Sequence, residues 1–183
     1  MSVTGARKAR LGLPILCALL LTTAACSTKG PDIAYTSEGI DLDRRAMALR
    51  EVDVLHAKGQ RVWCVPFARN ASGVEIRGNA DTWWGKARGL YERGKQPVVG
   101  AVMAFSATRG MPMGHVAVVS DVVSEREVRV DHANWTHNQV SLGMSVKDIS
   151  ANNDWSSVRV ESTPGAYGKP YPISGFIYPS RVN

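Results

Sequence analysis

A chain of 183 residues with 44% hydrophobic and 21% charged residues fits one ordinary globular domain with a full-sized core plus short extensions. The formal charge of +6 shrinks once Arg7, Lys8 and Arg10 are set aside with a segment expected to be cleaved: 19 basic residues then face 16 acidic ones, a net of +3, too little to argue for a nucleic-acid partner. Only 7% of residues are aromatic, yet five are tryptophan, and four of these fall between Trp63 and Trp135, the stretch that also carries the candidate chemistry.

The N-terminus has a basic region (Arg7, Lys8, Arg10), an apolar run from Leu11 to Leu21 and small residues up to Ala25 ahead of Cys26, the pattern of a secretory signal peptide. The run is about half of what a membrane-spanning helix requires. The sequence TTAAC also resembles a bacterial lipoprotein signal, in which the cysteine after the cleavage point is lipidated. Thr23 stands where such signals usually carry leucine, so ordinary cleavage after Ala25 competes with lipidation at Cys26. The expected organisation is therefore a signal peptide at 1–25, a lipidated cysteine and flexible linker at 26–42, and one domain at 43–183. Cys17 leaves with the signal, and a lipidated Cys26 leaves Cys64 unpaired in an oxidising compartment, where a free thiol needs a reason. A Cys26–Cys64 disulfide is the alternative if Cys26 is not lipidated.

Beyond the linker, apolar spacing predicts a helix over about Asp43 to Ala57 through Met47, Leu49, Val52 and Leu55, with His56 as a surface residue. A short helix follows from Cys64 to about Ala71, ended by Ser72-Gly73. A second amphipathic helix is expected from Asp81, with Trp83, Trp84, Ala87, Leu90 and Tyr91 on one face and Gly94 as its stop. Core packing is the leading role for the two tryptophans. A substrate groove lined by Trp63, Trp83 and Trp84 is the other. From Val98 the pattern turns to strands, at Val98–Phe105, His115–Val123, Val128–Trp135, Ser141–Lys147, Ser156–Glu161 and Ile173–Tyr178. Helices first and strands later indicate an α+β fold, N-terminal helices packed on an antiparallel β-sheet.

Within GQRVWCVPFAR, Cys64 sits at the expected start of a helix, and Pro66 suits the first turn. Unpaired backbone N–H groups and the positive end of the helix dipole there favour thiolate, which marks Cys64 as a candidate nucleophile. Downstream, His115 follows Gly114 on an otherwise apolar strand, where an imidazole is costly without a role. Strand parity puts His115, Ala117 and Val119 on one face, and Val128, Val130, His132 and Asn134 on another. A two-residue loop at Ser124-Glu125 sets His115 opposite Asn134; a four-residue loop moves Asn134 to Ala117. Both leave His132 directed into the site and Asp131 directed away. The roles expected are Cys64 as nucleophile, His115 as base and acid, and Asn134 as the group that holds the His115 ring, with Trp135 as its shield. The Cys64 N–H is the expected oxyanion donor, with Gln60 as a candidate side-chain donor and His132 as a possible further contact.

Taken together, WCVPFAR, ADTWWGKA, PVVGAVMAF, MGHVAVV and DHANW, in that order, resemble the CHAP domains (cysteine, histidine-dependent amidohydrolases/peptidases) of the papain-like, NlpC-like superfamily. The resemblance runs from about Gly59 to Tyr178. It implies a papain-like fold and a bacterial cell-wall hydrolase that cuts an amide bond in peptidoglycan through a cysteine thioester, as endopeptidase or N-acetylmuramoyl-L-alanine amidase. Cys64 and His115 carry over directly, and Asn134 matches a polar motif position. Many relatives place an acidic residue two positions earlier, where His132 stands here. The partners implied are peptidoglycan and, through lipid on Cys26, a membrane facing the wall, with an exported monomer and no cofactor or metal. A zinc hydrolase built on His115, Asp121, His132 or His137 has the wrong spacing. An idle wall-binding lipoprotein of the same fold and a cysteine acyl- or peptidyl-transferase are the competing functions.

Overall fold

Asp41 opens the first helix: its carboxylate accepts the Arg44 backbone N–H at 3.0 Å, satisfying a donor that the helix itself leaves unpaired. This helix, α1 (Leu42–Ala57), is buried through Ala48 and Val52, four residues apart, with Leu49 and Leu55 partly covered. Met47, expected in the apolar stripe, is exposed instead, because the helix turns its small Ala48 into the core. The computed structural model describes residues 1–2 and 40–182, and all the elements reported belong to one compact unit. Cys26, the remainder of the expected signal peptide and nearly all of the linker lie outside the described residues. No described helix is long and apolar enough to cross a membrane.

The second helix, α2 (Cys64–Ser72), ends at Gly73, whose φ of 77° is the left-handed conformation that glycine adopts at little cost. Phe67, Ala68 and Ala71 are its buried face. The long helix expected from Asp81 is absent. A 3-10 turn (Ala80–Thr82) runs into a single helical turn, α3 (Trp83–Lys86), after which Gly89 takes φ of 74° and the chain enters a strand, β1 (Tyr91–Gly94). Gly85 and Gly89 weaken the helix locally, and pairing of Tyr91, Arg93 and Gly94 with the last strand outweighs the helical periodicity.

Six more strands follow: β2 (Val102–Phe105), β3 (His115–Ser124), β4 (Glu127–Ala133), β5 (Val140–Asp148), β6 (Ser157–Thr163) and β7 (Ala166–Arg181). Each answers to one of the strands expected from the sequence. The sheet is antiparallel, in the order β1-β7-β2-β3-β4-β5-β6. The long β7 pairs with β6 along its first half and with β2 and β1 along its second, so β2 to β7 close into a six-stranded barrel with β1 on its flank. The fold is α+β, with the expected sheet curled shut.

Alternation along the strands divides two cores. Val102, Ala104, Val116, Val118 and Ala133 pack under the helices, beside Trp83, which is fully buried as the core-packing role requires. Met103, Phe105, Ala117, Val119, Val128 and Val130 fill the barrel. The β3–β4 turn falls at Glu125-Arg126, with Ser124 opposite Glu127, and two bulges restore Val119 to Val130 and Val118 to Asp131. Continued outward, that register aims His115 at Asn134, as the two-residue loop predicts. The strand stops one residue short, however, at Ala133.

Candidate active site

Cys64 is the first residue of α2. The residue before it, Trp63, has extended backbone and no capping side chain, so the early N–H groups of the helix remain available. The Cys64 thiol is free, and the backbone N–H groups of Val116, Val65 and Cys64 itself lie against its sulfur. Val116 is the neighbour of His115, which ties the start of α2 to the start of β3. Cys64, His115, Asn134, Trp135 and Trp63 line one open cavity of about 670 Å³.

Burial pushes the Cys64 thiol above its ordinary value, and the three N–H groups only partly offset that rise. The sequence expectation that the helix start favours thiolate meets an opposing effect: desolvation outweighs the backbone N–H groups around the sulfur. His115 is pushed the opposite way, well below its ordinary 6.5, first by burial and then by the neighbouring His132. Both directions favour the uncharged forms, the thiol and the neutral imidazole.

What precedes His115 fixes its position. Gly114 has φ of 64°, and a β-carbon there would meet the Asp81 backbone nitrogen at 2.7 Å and the Phe105 carbonyl oxygen at 2.9 Å. Only glycine lets the chain pass between these two segments, where the Asp81 N–H donates to the Met113 carbonyl. The His115 ring then sits edge-on to Phe105 and Trp135, with its Nε2 3.0 Å from His132 Nδ1. His132 is fully buried, its ring stacked on Trp135, and its Nε2 faces the Met144 sulfur at 3.2 Å. Burial lowers the His132 pKa to about 3.

Asn134 does not reach His115. With φ of 61° it leaves the β4 ladder, and its side-chain oxygen accepts the Asn138 N–H at 2.9 Å and Arg61 Nε at 3.2 Å. Asn138, also left-handed, accepts the Val62 N–H on its side-chain oxygen at 2.9 Å. The two asparagines thus fasten the β4–β5 loop to the segment entering Cys64. The contact expected of Asn134 is made by His132, because strand parity holds through His132 and fails at Asn134.

The other expected residues separate cleanly. Asp131 points away from the site, fully buried, and pairs with Arg45 at 2.6 Å while accepting the Gly143 N–H at 2.8 Å. Trp63 is half-exposed at the cavity rim with the Arg61 guanidinium 4.2 Å from its ring centre. Trp83 and Trp84 do not line the cavity: Trp83 is core, and Trp84 packs under the Arg93 guanidinium. Gln60 is exposed and also absent from the lining. Asp121 and His137 are exposed, apart from the buried His115 and His132. Among the described residues no cluster of three or more His, Cys, Asp or Glu side chains is placed to hold a metal ion.

Sequence reasoning missed Met111, Pro112, Met113 and Tyr171, which complete the cavity wall. The loop residues carry a signal in retrospect, since TRGMPMG runs straight into His115. Tyr171 lies in the early part of β7, ahead of the strand start expected at Ile173.

No curated protein matches the chain. A thiol at a helix start, a buried imidazole and a shared cavity are the parts a cysteine amidase or peptidase requires, and the family comparison agrees at that level of detail. The family model described as the CHAP domain matches residues 56–134, from the end of α1 through Asn134.

Proposed function

We propose that this protein is a peptidoglycan hydrolase that cleaves an amide bond through a Cys64 thioester, as endopeptidase or N-acetylmuramoyl-L-alanine amidase. The observation that carries the reading is the shared cavity of Cys64 and His115, with His115 Nε2 engaged by His132 so that Nδ1 is the nitrogen left for the thiol. With burial favouring the uncharged form of each group, the Cys64 proton moves to His115 Nδ1 as sulfur bonds to the amide carbon. The Cys64 backbone N–H, at the positive end of α2, supports the oxyanion. Breaking of the C–N bond returns that proton to the leaving amine, and water, deprotonated by the same nitrogen, releases the acid and the thiol. His132 holds the imidazole, in place of the amide side chain expected at Asn134. Trp63, exposed at the rim, offers a flat surface for a sugar ring or peptide face.

Cys64→Ala is expected to abolish hydrolysis of purified peptidoglycan while the thermal unfolding transition is kept, and a zinc chelator is expected to change nothing. Activity retained in the variant, or lost on chelation and restored by zinc, sinks the thiol mechanism. Mass spectra of the released fragments identify the bond cut. We also propose a monomer exported and held by lipid on Cys26 at a membrane facing the wall, the outer one in a two-membrane envelope, with the linker as tether. The intact mass of the mature protein tests the tether: absence of a lipid adduct leaves a free secreted or periplasmic enzyme.

A further inference from the structure

One partly buried group is not used by the chemistry above. Met144, on β5, places its thioether sulfur 3.2 Å from His132 Nε2. A thioether accepts a hydrogen bond weakly and donates none, so the nitrogen facing it must carry a proton; a bare nitrogen would set lone pair against lone pair. We propose that Met144 is a positioning residue that sets the tautomers of His132 and, through it, of His115, leaving His115 Nδ1 bare to receive the Cys64 proton.

The chain of consequences follows from counting protons. A neutral imidazole has one N–H, so with Nε2 protonated toward Met144, His132 Nδ1 is an acceptor. His115 Nε2, 3.0 Å away, then donates to it, and His115 Nδ1 is left with its lone pair. The inverse arrangement, with His132 Nδ1–H donating to His115 Nε2, would put the single His115 proton on Nδ1, where it would block the base. Complete burial of His132 keeps it neutral, in line with its lowered pKa, so a second proton does not erase the distinction. Asp131, the carboxylate nearest in sequence, is engaged by Arg45 on the opposite face and offers His132 no anionic partner. Stacking on Trp135 holds the ring plane so that Nε2 stays on the sulfur. Met144 does not line the cavity, and its action on substrate is through the two rings alone.

The proposal rests on His115 as the base, and its test separates the two ideas. In the full chain labelled with ¹⁵N-histidine, spectra near neutral pH should show both buried histidines with a protonated Nε2 and a bare Nδ1. A bare Nε2 on His132 overturns the proposal, and this measurement needs no variant. Met144→Leu preserves volume and removes the acceptor. It should shift both histidines toward a mixture of tautomers and lower kcat about threefold to tenfold with KM unchanged. Unchanged spectra, whatever the rate, overturn the role of Met144. Mixed tautomers with an unchanged kcat overturn His115 as the base while leaving the tautomer assignment standing.

Discussion

Replacement of His132 separates an imidazole that holds the base from one that only fills space. His132→Leu leaves the buried His115 Nε2 without its partner 3.0 Å away. A stranded buried polar group costs about 1–3 kcal/mol, and His115 is then free to rotate from its position. Positioned acid–base catalysis is worth roughly 10²–10⁴-fold, so losing the hold on the base should lower kcat about tenfold to a hundredfold, or about 1.4–2.7 kcal/mol of barrier. Because His132 does not line the cavity, KM should stay put. His132→Asn places an amide oxygen near the position of Nδ1 and should recover much of the loss. Asn134→Gly, which keeps the left-handed backbone and removes only the side-chain bonds to Arg61 and Asn138, should cost less kcat than His132→Leu. That ranking is the reverse of the one expected from the sequence. The assay is turnover of a defined muropeptide, with circular dichroism to confirm folding. Wild-type turnover in His132→Leu, or a larger kcat loss in Asn134→Gly, would refute the reasoning.

Two further outcomes follow from charge and burial. Below pH 6.5 the unfolded chain takes up protons on its histidines while the folded chain leaves His115 and His132 neutral, His132 down to about pH 3. Stability is therefore full above pH 6.5 and falls as pH drops below it, by about 1.4 kcal/mol per pH unit for each histidine; denaturant midpoints at pH 7, 6 and 5 test this, and a flat series contradicts it. The same depression of His115 should place the acid limb of kcat/KM below pH 6.5, measured over the range in which the protein stays folded. Asp131→Ala breaks a pair whose carboxylate is fully buried. It should destabilise by about 3 kcal/mol, read as a fall of roughly 6–12 °C in Tm, and a shift under 2 °C would show that the pair contributes little.

The strands were legible because alternation is local: β3 and β4 show in their own residues which side faces the barrel, and that alternation puts His115 and His132 together. The end of the ladder was not legible. Whether Asn134 continues the strand or turns left-handed depends on bonds to Arg61 and Asn138, one of them 73 residues away in the chain. The segment after Asp81 misled for a related reason, since the spacing of Trp83, Ala87, Leu90 and Tyr91 suits a helix. Only the pairing of Arg93 and Gly94 with Ile177 and Phe176 decides for a strand. The Cys64 thiol shows the same limit for electrostatics: a helix start is written in the sequence, and the depth of burial that overrides it is a property of the assembled fold.

The strand that closes the barrel is also the last of its strands in chain order, so a ribosome makes the other five first. Before β7 is complete, β2 has no neighbour on one side, β6 none on the other, and Tyr171 is missing from the cavity wall. Cys64 and His115 are by then long synthesised, yet the surface that should bury them is unfinished. A barrel assembled this way has a built-in delay: the nascent chain carries Cys64 and then His115 ahead of the cavity that joins them, and the wall is completed only when both edges of the sheet find the same strand.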